Sequence, residues 1–214
     1  MKKNSLKKTI IITSIVTLLP ILAGLFWWEQ LPDRMATHFG IDNIPNGWSS
    51  KGFTVFGIPF VCFICHLLCI AATLTDPKRE KINDKIMKLI LWITPIVSIV
   101  CMATIYGYAL NYSFDMELIT NLLMGIIFLV IGNYMPKCKQ NYTIGIKIPW
   151  TLDNEENWNR THRLAGWLWV LTGLFVFLNG IFKLVSSVFI LPVVIVASLI
   201  PMIYSFFFYI RHKQ

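Results

Sequence analysis

Two segments of this sequence carry residue types that perform chemistry in other proteins. The first, residues 62–66, reads C-F-I-C-H and matches the C-x-x-C-H pattern of covalent haem attachment. Haem is attached on the outer side of a membrane, whereas this segment lies near the middle of a long apolar run. Helical spacing places Cys62, Cys65 and Cys69 on one face, which we interpret as a face packed against a neighbouring helix. His66 is a candidate functional residue by its apolar setting, but we favour a neutral imidazole bonded to a neighbouring helix.

The second segment is E-E-x-x-x-R, formed by Glu155, Glu156 and Arg160. Paired carboxylates could activate a water molecule directly or through a metal. The pattern resembles a motif of an intramembrane protease family that is linked to bacteriocin immunity. That family also needs further polar residues at membrane depth, whereas this segment lies in a polar loop. We therefore predict that the protein is not an enzyme. The alternative is an intramembrane hydrolase or metal-dependent membrane enzyme that uses Glu155, Glu156 and His162.

The remaining candidate metal ligands form two small groups of two and three residues. Asp33 and His38 lie in one loop, and His162 follows Glu155 and Glu156 in another. Each group has a single histidine, and no ligand type repeats at the spacing of a metal site. We expect neither a metal nor a cofactor.

The elements that position these residues are apolar helices. Of the 214 residues, 56% are hydrophobic and only 14% are charged, against about 25% charged in a soluble domain. A membrane span needs roughly 20 apolar residues. Six runs without Asp, Glu, Lys or Arg qualify, and we predict an all-α, polytopic membrane protein with six transmembrane helices. The runs are 9–28, 53–75, 89–112, 118–134, 164–182 and 188–210.

Basic residues predict the orientation of these spans. Placing both termini in the cytoplasm leaves 16 of the 19 Lys and Arg residues on the cytoplasmic side, as the positive-inside rule requires. The scattered basic residues indicate contacts with membrane lipid headgroups, and we predict no direct binding of nucleic acid. Lys2, Lys3, Lys7 and Lys8 precede a long run that ends in bulky aromatics, which we interpret as an uncleaved first helix.

Two connections are long enough to recognise another molecule. We call residues 29–52 the outer loop and residues 135–163 the inner loop, after their predicted sides of the membrane. Apolar and polar residues alternate over 142–150, which predicts a short extended ribbon. Asp153 or Asn154 then begins a helix as its N-cap. On that helix Trp158, His162 and Ala165 share one face, which predicts an amphipathic entry into the fifth span.

Both loops carry a resemblance to one family. The inner loop and its two flanks contain G-N-Y-M-P-K at 132–137, N-Y-T-I-G-I at 141–146 and P-W-T-L at 149–152, followed by Asn154, Glu155, Trp158, the T-H-R at 161–163 and Gly166. This pattern resembles the SdpI family, six-span bacterial membrane proteins named for immunity to a sporulation-delaying peptide toxin. The outer loop, with L-P-D at 31–33, T-H-F-G at 37–40 and G-W-S-S-K at 47–51, is similar to a DUF1648-like module. Accordingly we divide the chain into 1–75 (DUF1648-like), 76–134 and 135–214 (SdpI-like).

The resemblance implies a protein of the bacterial cytoplasmic membrane that protects against a secreted antimicrobial peptide toxin. It also implies that a cytosolic transcriptional repressor is held at the membrane, which is the weaker expectation. We expect the outer loop to meet the toxin through Asp33, His38, Trp48 and Lys51. We expect the inner loop to hold the fold or dock a partner through Asn141, Tyr142, Gly145, Trp150, Thr151, Glu155, Trp158, His162 and Arg163. A small transporter or structural membrane protein is a further alternative, with His66, Asn121 and Asn179 as polar groups within the spans.

Overall fold

The computed structural model of the chain describes residues 3–40 and 42–212. The basic residues Lys2 and Lys213, which contribute to the predicted orientation, lie outside these residues. Within these residues the regular secondary structure is helical except for one hairpin. Its elements are α1 (Lys3–Phe26), β1 (Arg34–Phe39), β2 (Pro45–Ser50), a π-helical turn (Phe53–Gly57), α2 (Ile58–Leu74), α3 (Asp84–Ala109), α4 (Met116–Tyr134), α5 (Pro149–Asp153), α6 (Glu155–Phe182) and α7 (Ile190–Arg211).

The six predicted spans are confirmed as six helices. Within the described residues, six helical segments are long and apolar enough to cross a membrane. The fourth, the shortest run in the sequence, extends over Met116–Lys137 once a final 3-10 turn is included. The chain is thus a multi-pass membrane protein of the all-α class, to which the hairpin β1–β2 adds a small sheet.

The helices and the hairpin form two compact units. The first comprises the residues up to Ala71 together with Met87–Glu117, and the second comprises Ala72–Ile86 together with the residues from Leu118 onward. In the first unit, side chains of the outer loop enter the helical core. Leu31 and Met35 pack with Val55 and with Met102 and Tyr106 of α3. Burial of these side chains fixes the outer loop onto the helices.

A polar seam runs through the helices of the first unit. Thr13, Thr17, His66 and Ser98 are fully buried. His66 Nε2 lies 3.0 Å from Thr13 Oγ1, and Ser98 Oγ donates to the Thr17 carbonyl at 3.0 Å. Interhelical bonds of this kind satisfy polar groups that lipid cannot solvate. The prediction that His66 is bonded to a neighbouring helix is confirmed, because Thr13 belongs to α1.

The hairpin was not predicted from the sequence. Strand β1 pairs antiparallel with β2, with Met35 opposite Ser49 and Ala36 opposite Trp48. The register is irregular on either side of His38, so the pairing contains a bulge. At the turn, the Gly40 N–H donates to the Ile44 carbonyl at 2.8 Å. Asn43 completes this turn in the left-handed region, with φ +60.

In the second unit, glycines bring α4 and α6 into backbone contact. A Cβ added at Gly132 of α4 would lie 2.7 Å from the Val170 nitrogen, and one at Gly173 of α6 would lie 2.6 Å from the Leu129 nitrogen. Gly125 similarly faces Phe177. Glycine at seven-residue spacing allows this approach, which is the usual way that helices pack in lipid. We call Gly125, Gly132, Gly166, Gly173 and Gly180 the glycine ladder.

The predicted ribbon over 142–150 is wrong. The segment 141–148 forms no strand, and Pro149–Asp153 forms the short helix α5. Its backbone groups bond to side chains of the second unit instead of to a neighbouring strand. The predicted helix start is correct, because the Asn154 side chain accepts a hydrogen bond from the Asn157 N–H at 2.8 Å and begins α6.

Candidate functional site

Lys51 closes the base of the outer-loop hairpin. Its backbone N–H donates to the Asp33 carbonyl at 2.9 Å, and its Nζ donates to the Trp28 carbonyl at 3.2 Å. The ammonium also lies 3.5 Å from Asp33 Oδ1 and 5.3 Å from the centroid of the Trp28 ring. The Lys51 side chain is 16% exposed, whereas that of Asp33 is fully exposed. Lys51 therefore holds the loop, and Asp33 is open to solvent.

The tip of the hairpin is also anchored. Asn43 Oδ1 accepts a hydrogen bond from the Glu117 N–H at 3.0 Å, in the first turn of α4. Asn43 Nδ2 donates to Asp115 Oδ1 at 3.3 Å. The Phe39 ring packs edge-on against Tyr108, with centroids 4.9 Å apart. The hairpin is therefore attached to the rest of the first unit at its base, its side and its tip.

Between these anchors the hairpin presents polar and aromatic groups to solvent. Trp48 is half exposed, and His38 and Asn46 are exposed. His38 Nδ1 and Asn46 Oδ1 make a short hydrogen bond across the strands. Three of the four residues predicted to meet a toxin, namely Asp33, His38 and Trp48, thus lie on an accessible and fixed surface. We call these three residues the hairpin surface.

The inner loop is organised around buried Asn141. Its Oδ1 accepts hydrogen bonds from the Thr143 and Ile144 N–H groups at 2.9 and 2.7 Å. Its Nδ2 donates to the Lys139 carbonyl at 2.8 Å and the Ile144 carbonyl at 3.1 Å. One side chain thus satisfies four backbone groups that a strand would otherwise pair.

His162 and Trp158 form a stacked pair beneath the loop. Their ring centroids are 4.0 Å apart, and both side chains are buried. His162 Nδ1 donates to the Trp158 carbonyl at 2.8 Å, so Nε2 is free to accept from the Ile146 N–H at 3.0 Å. Trp158 Nε1 donates to the Cys138 carbonyl at 2.7 Å. Both nitrogens of the imidazole are therefore occupied by backbone groups.

Thr151 and Asn157 fix the remainder of the inner loop. Thr151 Oγ1 bonds to the Ile146 carbonyl at 2.7 Å and to the backbone of Ile148. Asn157 bonds to Ser205 of α7 through both its amide nitrogen and its oxygen, at 3.0 and 2.7 Å. Buried polar networks of this kind are costly to disrupt because each group left unpaired must be desolvated.

Asp76, which follows α2, clamps the start of the inner loop. Its Oδ2 accepts from the Tyr142 N–H at 2.9 Å and from Thr143 Oγ1 at 2.6 Å, and its Oδ1 accepts from the Lys78 N–H at 2.7 Å. Burial raises the pKa of this carboxyl, but the hydrogen bonds from Thr143, Lys78 and Tyr142 outweigh it and hold the pKa below the ordinary value. Asp76 therefore binds the loop as a carboxylate.

Comparison with known proteins matches both loops. The SdpI/YfhL protein family matches residues 137–205, and the Domain of unknown function (DUF1648) matches residues 15–63. The chain is 27% identical over 209 residues to the Immunity protein SdpI of Bacillus subtilis (strain 168). This alignment covers 96% of this chain and 93% of that protein. The chain is therefore similar to proteins of the SdpI family. No solved structure matches it.

The two family matches fall on different units. The SdpI/YfhL match lies wholly in the second unit and contains the network around Asn141, Thr151 and His162. The DUF1648 match lies in the first unit and contains the hairpin with Lys51. The predicted functional residues therefore form two separate sets, each built by its own part of the chain.

Four of the nine predicted inner-loop residues are buried in that network: Asn141, Thr151, Trp158 and His162. Gly145 belongs to it as well, because a Cβ at this position would overlap His162 Nε2. Trp150 is half-buried against Phe206 and Tyr209 of α7. Three predicted residues remain exposed and could contact another molecule directly: Tyr142, Glu155 and Arg163.

The geometry required by the enzyme alternative is not present. That alternative needs Glu155 or Glu156 to face a buried cavity near His162. Both glutamates are exposed, and Glu156 pairs with Arg160 at 2.8 Å. His162 has no free ring nitrogen. Among the described residues, no group of three or more His, Cys, Asp or Glu side chains is arranged to hold a metal ion.

The C-x-x-C-H segment differs in part from its interpretation. His66 is buried against α1, but Cys65 and Cys69 are exposed on the surface of the helix. The predicted packed face of thiols is therefore wrong within this chain. Because α2 is one of the spanning helices, these two side chains face the lipid.

Sequence reasoning missed three structural residues: Asp76, Gln140 and Asn157. Asp76 precedes a proline, which is typical of a helix end, and its partners in the inner loop lie 66 and 67 positions away. Gln140 Nε2 bonds to the Thr151 and Leu152 carbonyls at 3.0 and 2.8 Å. The only sign of such a role in the sequence is that a polar residue lies within the inner loop. The neighbouring residues do not indicate which group it bonds to.

Proposed function

We propose that the chain is an immunity protein of the bacterial cytoplasmic membrane that protects its host from a secreted antimicrobial peptide. The name of the Bacillus subtilis relative supports immunity. The observation that carries the proposal is the hairpin surface. It is fixed at its base by Lys51 and at its tip by Asn43, yet it leaves Trp48 half exposed. A preorganised tryptophan of this kind is typical of a binding hot spot.

Survival of a sensitive bacterial strain tests this proposal. Cells that express the chain are challenged with the toxin peptide, and membrane insertion is verified by fractionation. Trp48→Ala should lower the half-inhibitory toxin concentration about tenfold or more, since a central Trp contributes about 2 kcal/mol. The matched control is Trp167→Ala, because Trp167 is also exposed but lies on α6 outside both loops. Protection by Trp48→Ala equal to wild type would contradict the assignment of the hairpin surface.

We infer a second, smaller surface on the inner loop for a cytosolic partner. The partner implied by the family resemblance is a transcriptional repressor. Tyr142, Glu155 and Arg163 are exposed, and the buried network behind them holds their backbone in place. The test is co-fractionation of a tagged repressor, encoded by a neighbouring gene, with membranes that contain the protein. Tyr142→Ala combined with Arg163→Ala should release it, and unchanged retention would count against this surface.

A further inference from the structure

A groove with a basic rim lies between the start of α6 and the end of α7. Its volume is about 500 Å³. The rim carries Arg160, Tyr204, Arg211 and His212, and the wall is apolar and includes Ile203 and Phe207. All of these residues belong to the second unit. Neither loop assignment uses this groove.

The rim is held in place by contacts within the groove. Arg160 lies over the Phe208 ring at 5.3 Å and hydrogen-bonds to the Tyr204 side chain. His212 stacks on the same Phe208 ring, with the two ring centroids 4.0 Å apart, and its Nδ1 donates to the Phe208 carbonyl at 2.8 Å. Glu156 pairs with Arg160 at 2.8 Å and offsets one positive charge. Arg211 supplies the second guanidinium.

The wall below the rim is open to the surroundings of the helix. Ile203 and Phe207 are 53% and 58% exposed. Because α7 is a membrane-spanning helix, this face is in contact with lipid chains. The groove therefore has arginines at the helix end and exposed apolar side chains along its wall. This arrangement complements a phospholipid, which has an anionic headgroup at one end and apolar acyl chains.

We propose that this groove binds an anionic phospholipid. The phosphate lies between Arg160 and Arg211, since guanidinium groups match phosphate oxygens in charge and geometry. The Tyr204 hydroxyl can donate to the same oxygens, and an acyl chain follows Ile203 and Phe207. Basic pockets between spanning helices are known to bind anionic headgroups in this way.

Native mass spectrometry of the full-length protein in detergent tests the site. Phosphatidylglycerol and phosphatidylcholine with identical acyl chains are added, and bound lipid is counted for each. The wild type should prefer phosphatidylglycerol. R160Q/R211Q should lose this preference. The ratio of bound phosphatidylglycerol to bound phosphatidylcholine should fall about fivefold for each arginine removed, if each contributes about 1 kcal/mol. The matched control K85Q/K88Q removes two exposed positive charges outside the groove and should keep the preference.

A second variant separates loss of the site from loss of folding. R160K/R211K keeps both charges and should retain most of the preference, and every variant must elute as a single peak in gel filtration. R160Q/R211Q with an unchanged preference would overturn the proposal, as would a wild type that binds both lipids equally. Glycerol 3-phosphate that displaces the lipid at equal concentration would also overturn it, because the groove would then be a site for a soluble phosphate.

Discussion

Gly145 occupies a backbone conformation that other residues adopt only with strain. Its φ is +111, and a Cβ there would overlap His162 Nε2, which accepts from the Ile146 N–H. Gly145→Ala should therefore lower the stability by about 2–3 kcal/mol, through backbone strain and the loss of this hydrogen bond. Thermal unfolding in detergent measures the change. Gly52→Ala is the control and should be nearly neutral, since a Cβ at Gly52 meets nothing within 4 Å.

The lowered pKa of Asp76 predicts that the folded protein becomes less stable at low pH. The pKa of Asp76 is lowered in the folded state by hydrogen bonds that favour the carboxylate, whereas an unfolded aspartate has a pKa of about 3.9. The stability that it contributes is therefore complete above that value and is lost as the pH falls through the folded pKa. Melting temperature should decrease below about pH 4, and Asp76→Asn should remove part of this decrease. Glu80→Gln, at an exposed position, should leave the pH profile unchanged.

At the scale of elements, the glycine ladder decides whether α4 and α6 can meet. A Cβ at Gly173 would lie 2.6 Å from the Leu129 nitrogen and 2.8 Å from the Gly125 carbonyl oxygen, and neither backbone atom can move alone. Gly173→Ala should cost about 2 kcal/mol by overpacking, which corresponds to roughly 4–8 °C in melting temperature. Leu171→Ala, on an exposed face of the same helix, should change it far less. Equal shifts for both variants would contradict the backbone contact.

Hydrogen exchange tests the anchor at the hairpin tip. Asn43→Gly keeps the positive φ but removes the side chain that accepts from the Glu117 N–H. The loss of a cap of this kind costs about 1 kcal/mol. Amides of the hairpin turn and of the first turn of α4 should exchange about fivefold faster, because a loss of that free energy raises the population of the locally open state by this factor. Asp42→Ala, which removes only a bond within the turn, should not affect the amides of α4.

Elements whose signal is local could be predicted, and those with distant partners could not. The six spans follow from apolar runs long enough for lipid, and the α6 start follows from the capping residue Asn154. The ribbon failed because Asn141, Thr151 and His162 bond to the backbone that a strand would have paired. The hairpin was missed because the Asn46-Gly47 pair, a common turn signal, lies within β2. The actual turn around Asn43 depends on contacts with α4.

At the scale of the whole molecule, the predicted orientation places the two loops on opposite sides of the membrane. Ile44 of the hairpin and Tyr142 of the inner loop are 60% and 49% exposed, so each can be replaced by cysteine. In intact cells a membrane-impermeant maleimide should label Ile44→Cys, and it should label Tyr142→Cys only after permeabilisation. Labelling of Tyr142→Cys from outside would reverse the predicted topology.

The native thiols should leave this labelling experiment nearly free of background. Four thiols lie on membrane-spanning helices, out of reach of an aqueous reagent: half-buried Cys62 and the exposed Cys65, Cys69 and Cys101. Burial raises the pKa of Cys138 to about 11, so that thiol is protonated and unreactive at neutral pH. The parent chain, with its five cysteines, serves as the control and should remain unlabelled.

The closed base of the hairpin has a consequence for how the specificity of such a protein could change. The Lys51 N–H and the Asp33 carbonyl join the two ends of the segment to each other, so the residues between them form a cassette inserted between α1 and α2. A relative's segment of equal length over residues 31–51 that keeps the core side chains Leu31 and Met35, the base pair Asp33 and Lys51, and the tip anchor Asn43 could be grafted here without moving either helix. If the cassette alone determines which peptide is bound, this chain with the grafted segment would protect against the peptide that the relative resists.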